Sequence, residues 1–192
     1  MSTALHEPMT LVEFLVWEEH LPSRFEFDGF HPVAMTGGTV MHNRIMRRLH
    51  RVLEQRLDGT LCEPFGPDVK VIADGRVRYP DAVVSCTPQP DRSQVIENPV
   101  VVFEVLSEST SRTDRIDKVR EYQATVSVLR YVIPEQDSIG AAVFVRRPEG
   151  WSASTISAGD DLHMPEIGAQ IGLNELYPDS RASTARGDLL GG

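Results

Sequence analysis

Apolar residues change their spacing several times along the chain, and each change predicts an element. Residues 10–20, TLVEFLVWEEH, carry helical apolar spacing, with Thr10 placed to cap and Glu13 three residues on, a capping-box pattern. Residues 24–35 set Phe25 and Phe27 against Arg24 and Glu26, then turn at Asp28-Gly29, which predicts a hairpin. Val40, Ile45, Leu49, Val52, Leu53 and Leu57 fall on one helical stripe that stops at Gly59. Strand-like runs follow at 60–65, 68–75 and 77–86, then a polar loop over 87–98. The run PVVVFEVL (99–106) is the most continuously apolar, as expected of a strand buried on both faces.

A helix is expected over 111–124, strands over 127–134, 138–147 and 150–157, and a short helix over 173–177. The pattern holds no repeats and no regular strand–helix alternation. It predicts one α/β domain over 1–178 with a mixed sheet flanked by helices. The tail 179–192 has little apolar content and is expected to be unstructured.

Composition narrows the function classes. The hydrophobic fraction of 41% and charged fraction of 24% are those of a globular protein. No apolar run approaches the roughly 20 residues that span a bilayer, and the N-terminus lacks a secretory pattern. A cytoplasmic protein with no membrane partner is the expectation. Cys62 and Cys86 have no CxxC partner and are expected as two reduced thiols. A net charge of −9 argues against a nonspecific DNA coat. The charge is uneven, however. Residues 42–56 carry five Arg and one Glu, so a basic face can sit on an acidic chain, either solvating an amphipathic helix or meeting phosphates.

Three polar residues occupy positions that packing would not choose. Asp81 follows Pro80 at the entry to a strand, Glu104 interrupts the apolar run, and Lys118 lies on the next helix with Asp114 and Tyr122 four residues to either side. A carboxylate in an apolar run is costly unless paired or bound to a cation. Two carboxylates on neighbouring strands suit Mg²⁺ or Mn²⁺, with a lysine beside the ion for phosphate or water. A buried Glu104–Lys118 ion pair with no ligand satisfies the same pattern.

The order RYPDAVV followed by PVVVFEVLSESTSRTDRIDKVREY resembles the Uma-two family of the restriction-endonuclease-like PD-(D/E)xK nuclease superfamily, over about residues 10–177. The resemblance implies a metal-dependent nuclease core. Asp81 and Glu104 would be metal ligands, and Glu26 would fill the N-terminal acidic position, as a further ligand, a holder of water, or a solvated hairpin residue. The superfamily lysine normally stands two residues after the glutamate, where this chain has Leu106, so its role would pass to Lys118. His42 is expected near phosphate or bonded to Glu26, and Arg47, Arg48, Arg51 and Arg115 along a nucleic-acid backbone. Ser107 is expected to cap the loop after the strand. The expected function is metal-dependent hydrolysis of DNA phosphodiesters, with a homodimer compatible with duplex cutting. A noncatalytic assembly protein on the same fold and a nuclease for RNA or branched DNA are the alternatives.

Overall fold

The computed structural model describes residues 7–35, 37–106 and 112–178. Helix α1 (Leu11–Glu19) starts where the sequence predicts: the Glu13 carboxylate accepts from the Thr10 backbone N–H at 2.7 Å, and the Thr10 hydroxyl accepts from the Glu13 N–H. Strands β1 (Phe25–Phe27) and β2 (Pro32–Ala34) pair as the hairpin. Its turn is held by Asp28, which accepts from the N–H groups of Phe30 and His31 at 2.8 and 2.7 Å, and by Gly29 at φ +98°. Helix α2 (Val40–Leu57) buries the predicted stripe, and Thr39 caps it.

The remaining elements are β3 (Glu63–Phe65), β4 (Val71–Ala73), β5 (Arg76–Arg78), β6 (Ala82–Ser85), β7 (Pro99–Phe103), α3 (Arg112–Ala124), β8 (Arg130–Pro134), β9 (Gly140–Arg147), β10 (Gly150–Ser157), β11 (Asp161–Met164) and β12 (Ala169–Gly172). A six-stranded mixed sheet runs β10-β9-β8-β7-β6-β3, and a four-stranded sheet runs β2-β1-β5-β4. In the larger sheet β7 and β8 are parallel, joined through α3, while the other neighbours are antiparallel. Side-chain alternation sends Ala82, Val84, Val101, Phe103 and Val132 to one core under α2. Val83, Val102, Tyr131 and Ile133 face a second core with Tyr122 of α3. Burial on both sheet faces explains the continuous apolar run of β7.

Five points need correction. The run 77–86 is not one strand. Pro80 has no N–H for a ladder, and the chain leaves the smaller sheet after β5 and enters the larger at β6. Strand β7 ends at Phe103, so Glu104 stands just past the strand, with its backbone N–H still donating to Val132 O at 3.1 Å. The β11–β12 hairpin was not expected, although Leu162, Met164, Ala169 and Ile171 alternate into the core. Residues 173–176 form a 3₁₀ turn. Finally, Cys62 and Cys86 form a disulfide rather than two thiols. Glu63 pairs with Ser85 across β3 and β6, which sets Cys62 opposite Cys86, a register that cysteine spacing cannot reveal. The tail 179–192 and Ser107 lie outside the described residues. Among the described residues, no helix is long and apolar enough to cross a membrane.

Candidate active site

Antiparallel register builds the centre of the site. Ala82 pairs with Phe103, so Asp81 and Glu104 leave the two strands at the same end and opposite one another. Each carboxylate is then held by a different helix. The His42 ring Nε2 lies 3.0 Å from Asp81 Oδ2, which also accepts the Val105 backbone N–H at 2.7 Å, and His50 Nε2 meets the Asp81 carbonyl at 2.7 Å. Both histidines come from α2. From α3, Lys118 Nζ donates to Glu104 Oε2 at 3.0 Å and the Tyr122 hydroxyl donates to Oε1 at 2.8 Å. Lys118 and Tyr122 are four residues apart and share a helix face, as the spacing predicts. The Asp114 side chain lies outside what the structure describes.

Glu26, brought in by β1, does not meet His42. Its Oε1 accepts from Lys118 at 3.3 Å and its Oε2 from Arg78 at 3.0 Å. The Arg78 guanidinium then grips Glu121 of α3 through Nε and an amino nitrogen, each at 2.7 Å. Arg78 and Glu121 were not singled out in the sequence. Their signal is faint: Arg76 and Arg78 share one face of a strand, and Glu121 lies one helical turn past Lys118.

Burial and neighbouring charge act strongly on Glu104. Burial pushes the Glu104 carboxyl up to about 7; Lys118 pulls the other way, and the charges of Glu26 and Asp81 add to the rise. The hydrogen bond to Asp81 holds His42 above its ordinary value, against burial. Burial, and then the charge of Glu104, raise the Tyr122 hydroxyl well above its usual range, so it remains a proton donor. Among the described residues no three His, Cys, Asp or Glu side chains gather as a ready-made metal cluster. Asp81 and Glu104 nonetheless supply the one or two carboxylates that Mg²⁺ takes alongside water and substrate phosphate. Crowding of like charge around Glu104 is what a cation relieves. The residues fit a divalent ion held by two carboxylates.

The arginines lie elsewhere. Arg44, Arg47, Arg48 and Arg51 follow one stripe of α2 and line a shallow open cleft. At 100° per residue that stripe faces away from the side carrying Ile45, Leu49 and His42. Arg115 is exposed on α3, three residues before Lys118. None of these five joins the Asp81–Glu104 centre.

This arrangement defines a restriction-endonuclease-like fold, with two strand-end carboxylates and a helix-borne lysine. A solved structure from Anabaena variabilis, described as "a putative nuclease belonging to DUF820", superposes with a TM-score of 0.72 at 15% identity, covering 88% of this chain and 97% of that one. The chain belongs to the Uma2 family, described as "Putative restriction endonuclease", whose profile matches residues 11–176. Two uncharacterized proteins of Synechocystis sp. are similar: one is 31% identical over 86% of this chain and 89% of its own length, the other 28% identical over 71% and 80%.

Proposed function

We propose that this protein is a Mg²⁺- or Mn²⁺-dependent nuclease that hydrolyses DNA phosphodiesters, with Asp81 and Glu104 holding the ion. The observation that carries this reading is the buried Glu104, whose carboxyl is raised by burial first and then by the charges of Glu26 and Asp81, and which a lysine reaches from another element. A divalent ion held by Asp81 and Glu104 would supply an acidified water and charge to offset that of the scissile phosphate. Lys118 would orient a water or steady the phosphate, as a compact ammonium can. Glu26 balances Lys118 and Arg78, with one oxygen on each. His42 and the Val105 N–H fix the Asp81 carboxylate. Membership of a family described as "Putative restriction endonuclease" supports the reaction class.

The test is a nicking assay on supercoiled DNA with Mg²⁺, Mn²⁺ or chelator. The parent is expected to nick only with the ion, and Lys118→Ala to lose about 10²-fold or more, the scale of one preorganised transition-state contact. An inactive parent on DNA and RNA, with no Mn²⁺ binding by calorimetry, would leave the Glu104–Lys118 pair as a structural element and favour a noncatalytic assembly protein.

A further inference from the structure

We infer that Arg78 and Glu121 form a latch that positions Lys118 against Glu104, an inference that rests on the nuclease reading above. A lysine two residues beyond the glutamate on one strand would be held by the strand backbone. Leu106 stands there, and Lys118 instead enters from α3 on a flexible four-carbon stem. Its aim therefore depends on how α3 is fixed to the sheets. One turn past Lys118, the Glu121 carboxylate takes two parallel bonds of 2.7 Å from Arg78 of β5. Such a fork sets angle as well as distance. Arg76 adds a third contact to Glu121 at 3.2 Å. The remaining Arg78 amino group holds Glu26 at 3.0 Å, and the other Glu26 oxygen meets Lys118 at 3.3 Å. One guanidinium thus steers Lys118 along two routes: through the α3 backbone and through the Glu26 carboxylate.

Stability alone is a weak reason for this network. Buried ion pairs can often be replaced by apolar residues without loss. The last turn of α3 has further anchors, Arg146 and Trp151 donating to the Gln123 carbonyl. What sets the Arg78 fork apart is that the same guanidinium also holds Glu26, the carboxylate that meets the Lys118 ammonium.

The chain has two lysines, Lys70 and Lys118, which permits a test that does not depend on activity. Both side chains are buried, at 5% and 9% exposure, so an amine-acylating ester should label both slowly, and mass spectrometry separates them. Glu121→Gln keeps the shape and removes the charge that Arg78 grips. Lys118 labelling should rise about tenfold or more while Lys70 labelling stays unchanged. On plasmid DNA with Mn²⁺, kcat should fall about tenfold or more at unchanged KM. In a Lys118→Ala background the same substitution should lower cleavage no further. Should Glu121→Gln fail to fold, Glu121→Asp keeps the charge at shorter reach and takes its place. Unchanged Lys118 labelling, a joint rise at both lysines, or losses that add in the Lys118→Ala background would each overturn the latch. A parent that cuts nothing, with Lys118 still released by Glu121→Gln, would sink the nuclease reading and leave the latch standing.

Discussion

The protein contains two buried sets of the same three residue types, and they behave differently. In the first, Glu18 of α1 accepts from Lys70 and from the Tyr79 hydroxyl, one on each carboxylate oxygen. In the second, Glu104 accepts from Lys118 and from the Tyr122 hydroxyl in the same one-to-each way. All six are nearly inaccessible to solvent. Yet the Glu18 carboxyl lies below its ordinary range, because the Lys70 and Tyr79 bonds and the Lys70 charge together outweigh burial. The Glu104 carboxyl is pushed up to about 7. Geometry does not separate them; the neighbours do. One cation matches one carboxylate around Glu18, whereas Glu104 shares Lys118 with Glu26 and has Asp81 nearby. The first set is a closed clamp between α1 and the smaller sheet. The second crowds Glu104, Glu26 and Asp81 around Lys118, with Arg78 also on Glu26, and that crowding is what the proposed cation would relieve.

The largest expected difference comes from removing each lysine. Lys70→Met should cost about 3–5 kcal/mol, because it strands a buried carboxylate, while any protein that folds should cleave normally. Lys118→Met should cost less near pH 6, where Glu104 can take up a proton instead, but should reduce nicking about 10²-fold or more. Urea titrations beside nicking assays give both numbers. If the two variants lose the same stability and neither loses cleavage, the sets are equivalent and the site assignment falls.

A second contrast is pH. Native Glu104 holds its proton more tightly than the unfolded chain, whose carboxyl titrates near 4.5 against about 7 in the fold. Its contribution to stability is therefore fully present below about pH 4.5 and is lost as pH rises through about 7. Metal-free protein should show a Tm that falls from pH 5 to 8, with Glu104→Gln flattening the slope and added Mn²⁺ restoring the parent at high pH. Glu18, with its pKa lowered, works in the opposite sense: its contribution is present above the unfolded value and fades as the pH is lowered through the folded one. Glu18→Gln should leave the pH 5 to 8 slope untouched.

Much of this was legible in the chain because periodicity reports burial. The stripe on α2, the double-faced burial of β7 and the turn at Asp28-Gly29 each follow from local spacing. Glu104 and Lys118 could be read because a charge in an apolar run, and a lysine one helix later, break that spacing. What could not be read depends on register between distant segments. Arg78 meets Glu121 across 43 residues, and Cys62 meets Cys86 only because β3 pairs with β6. Glu18, Lys70 and Tyr79 come from three separate segments, and no motif ties them together. His42, expected near phosphate or bonded to Glu26, has its ring on Asp81 in the fold, a pairing that depends on where α2 lies over β6.

A third prediction probes the α2 side of the site, where the contacts are gentler. Gly38 packs against His42 so closely that a Cβ there would lie 2.8 Å from the ring Nδ1. Gly38→Ala should displace the ring from Asp81 and lower nicking by about tenfold, with little change in Tm. Gly59→Ala meets no atom but sits at φ +73°, so it should cost some stability and leave nicking per folded molecule unchanged. Equal activity in both variants would mean that the His42–Asp81 contact does not organise the site.

The smallest effect concerns the arginines, the charges that the fold leaves outside both buried sets. Among the described residues, no ion pair joins Arg44, Arg47, Arg48 or Arg51 to an acid. From Arg44 to Arg51, seven rises along the helix, the stripe runs about 10 Å along α2, a length that reaches two or so backbone phosphates. It points away from Asp81, so it can add affinity for a nucleic acid without touching the reaction. Replacing Arg47, Arg48 and Arg51 with Ala should then weaken DNA binding and reduce the slope of log K against log salt by about 0.9 per lost phosphate contact. The rate at saturating DNA should stay as in the parent, in contrast with Lys118→Met. A slope unchanged by the triple substitution would mean that the stripe only solvates its helix. A loss at saturation would mean instead that the α2 face communicates with the carboxylates, and the separation drawn between the surface charges and the buried ones would fail.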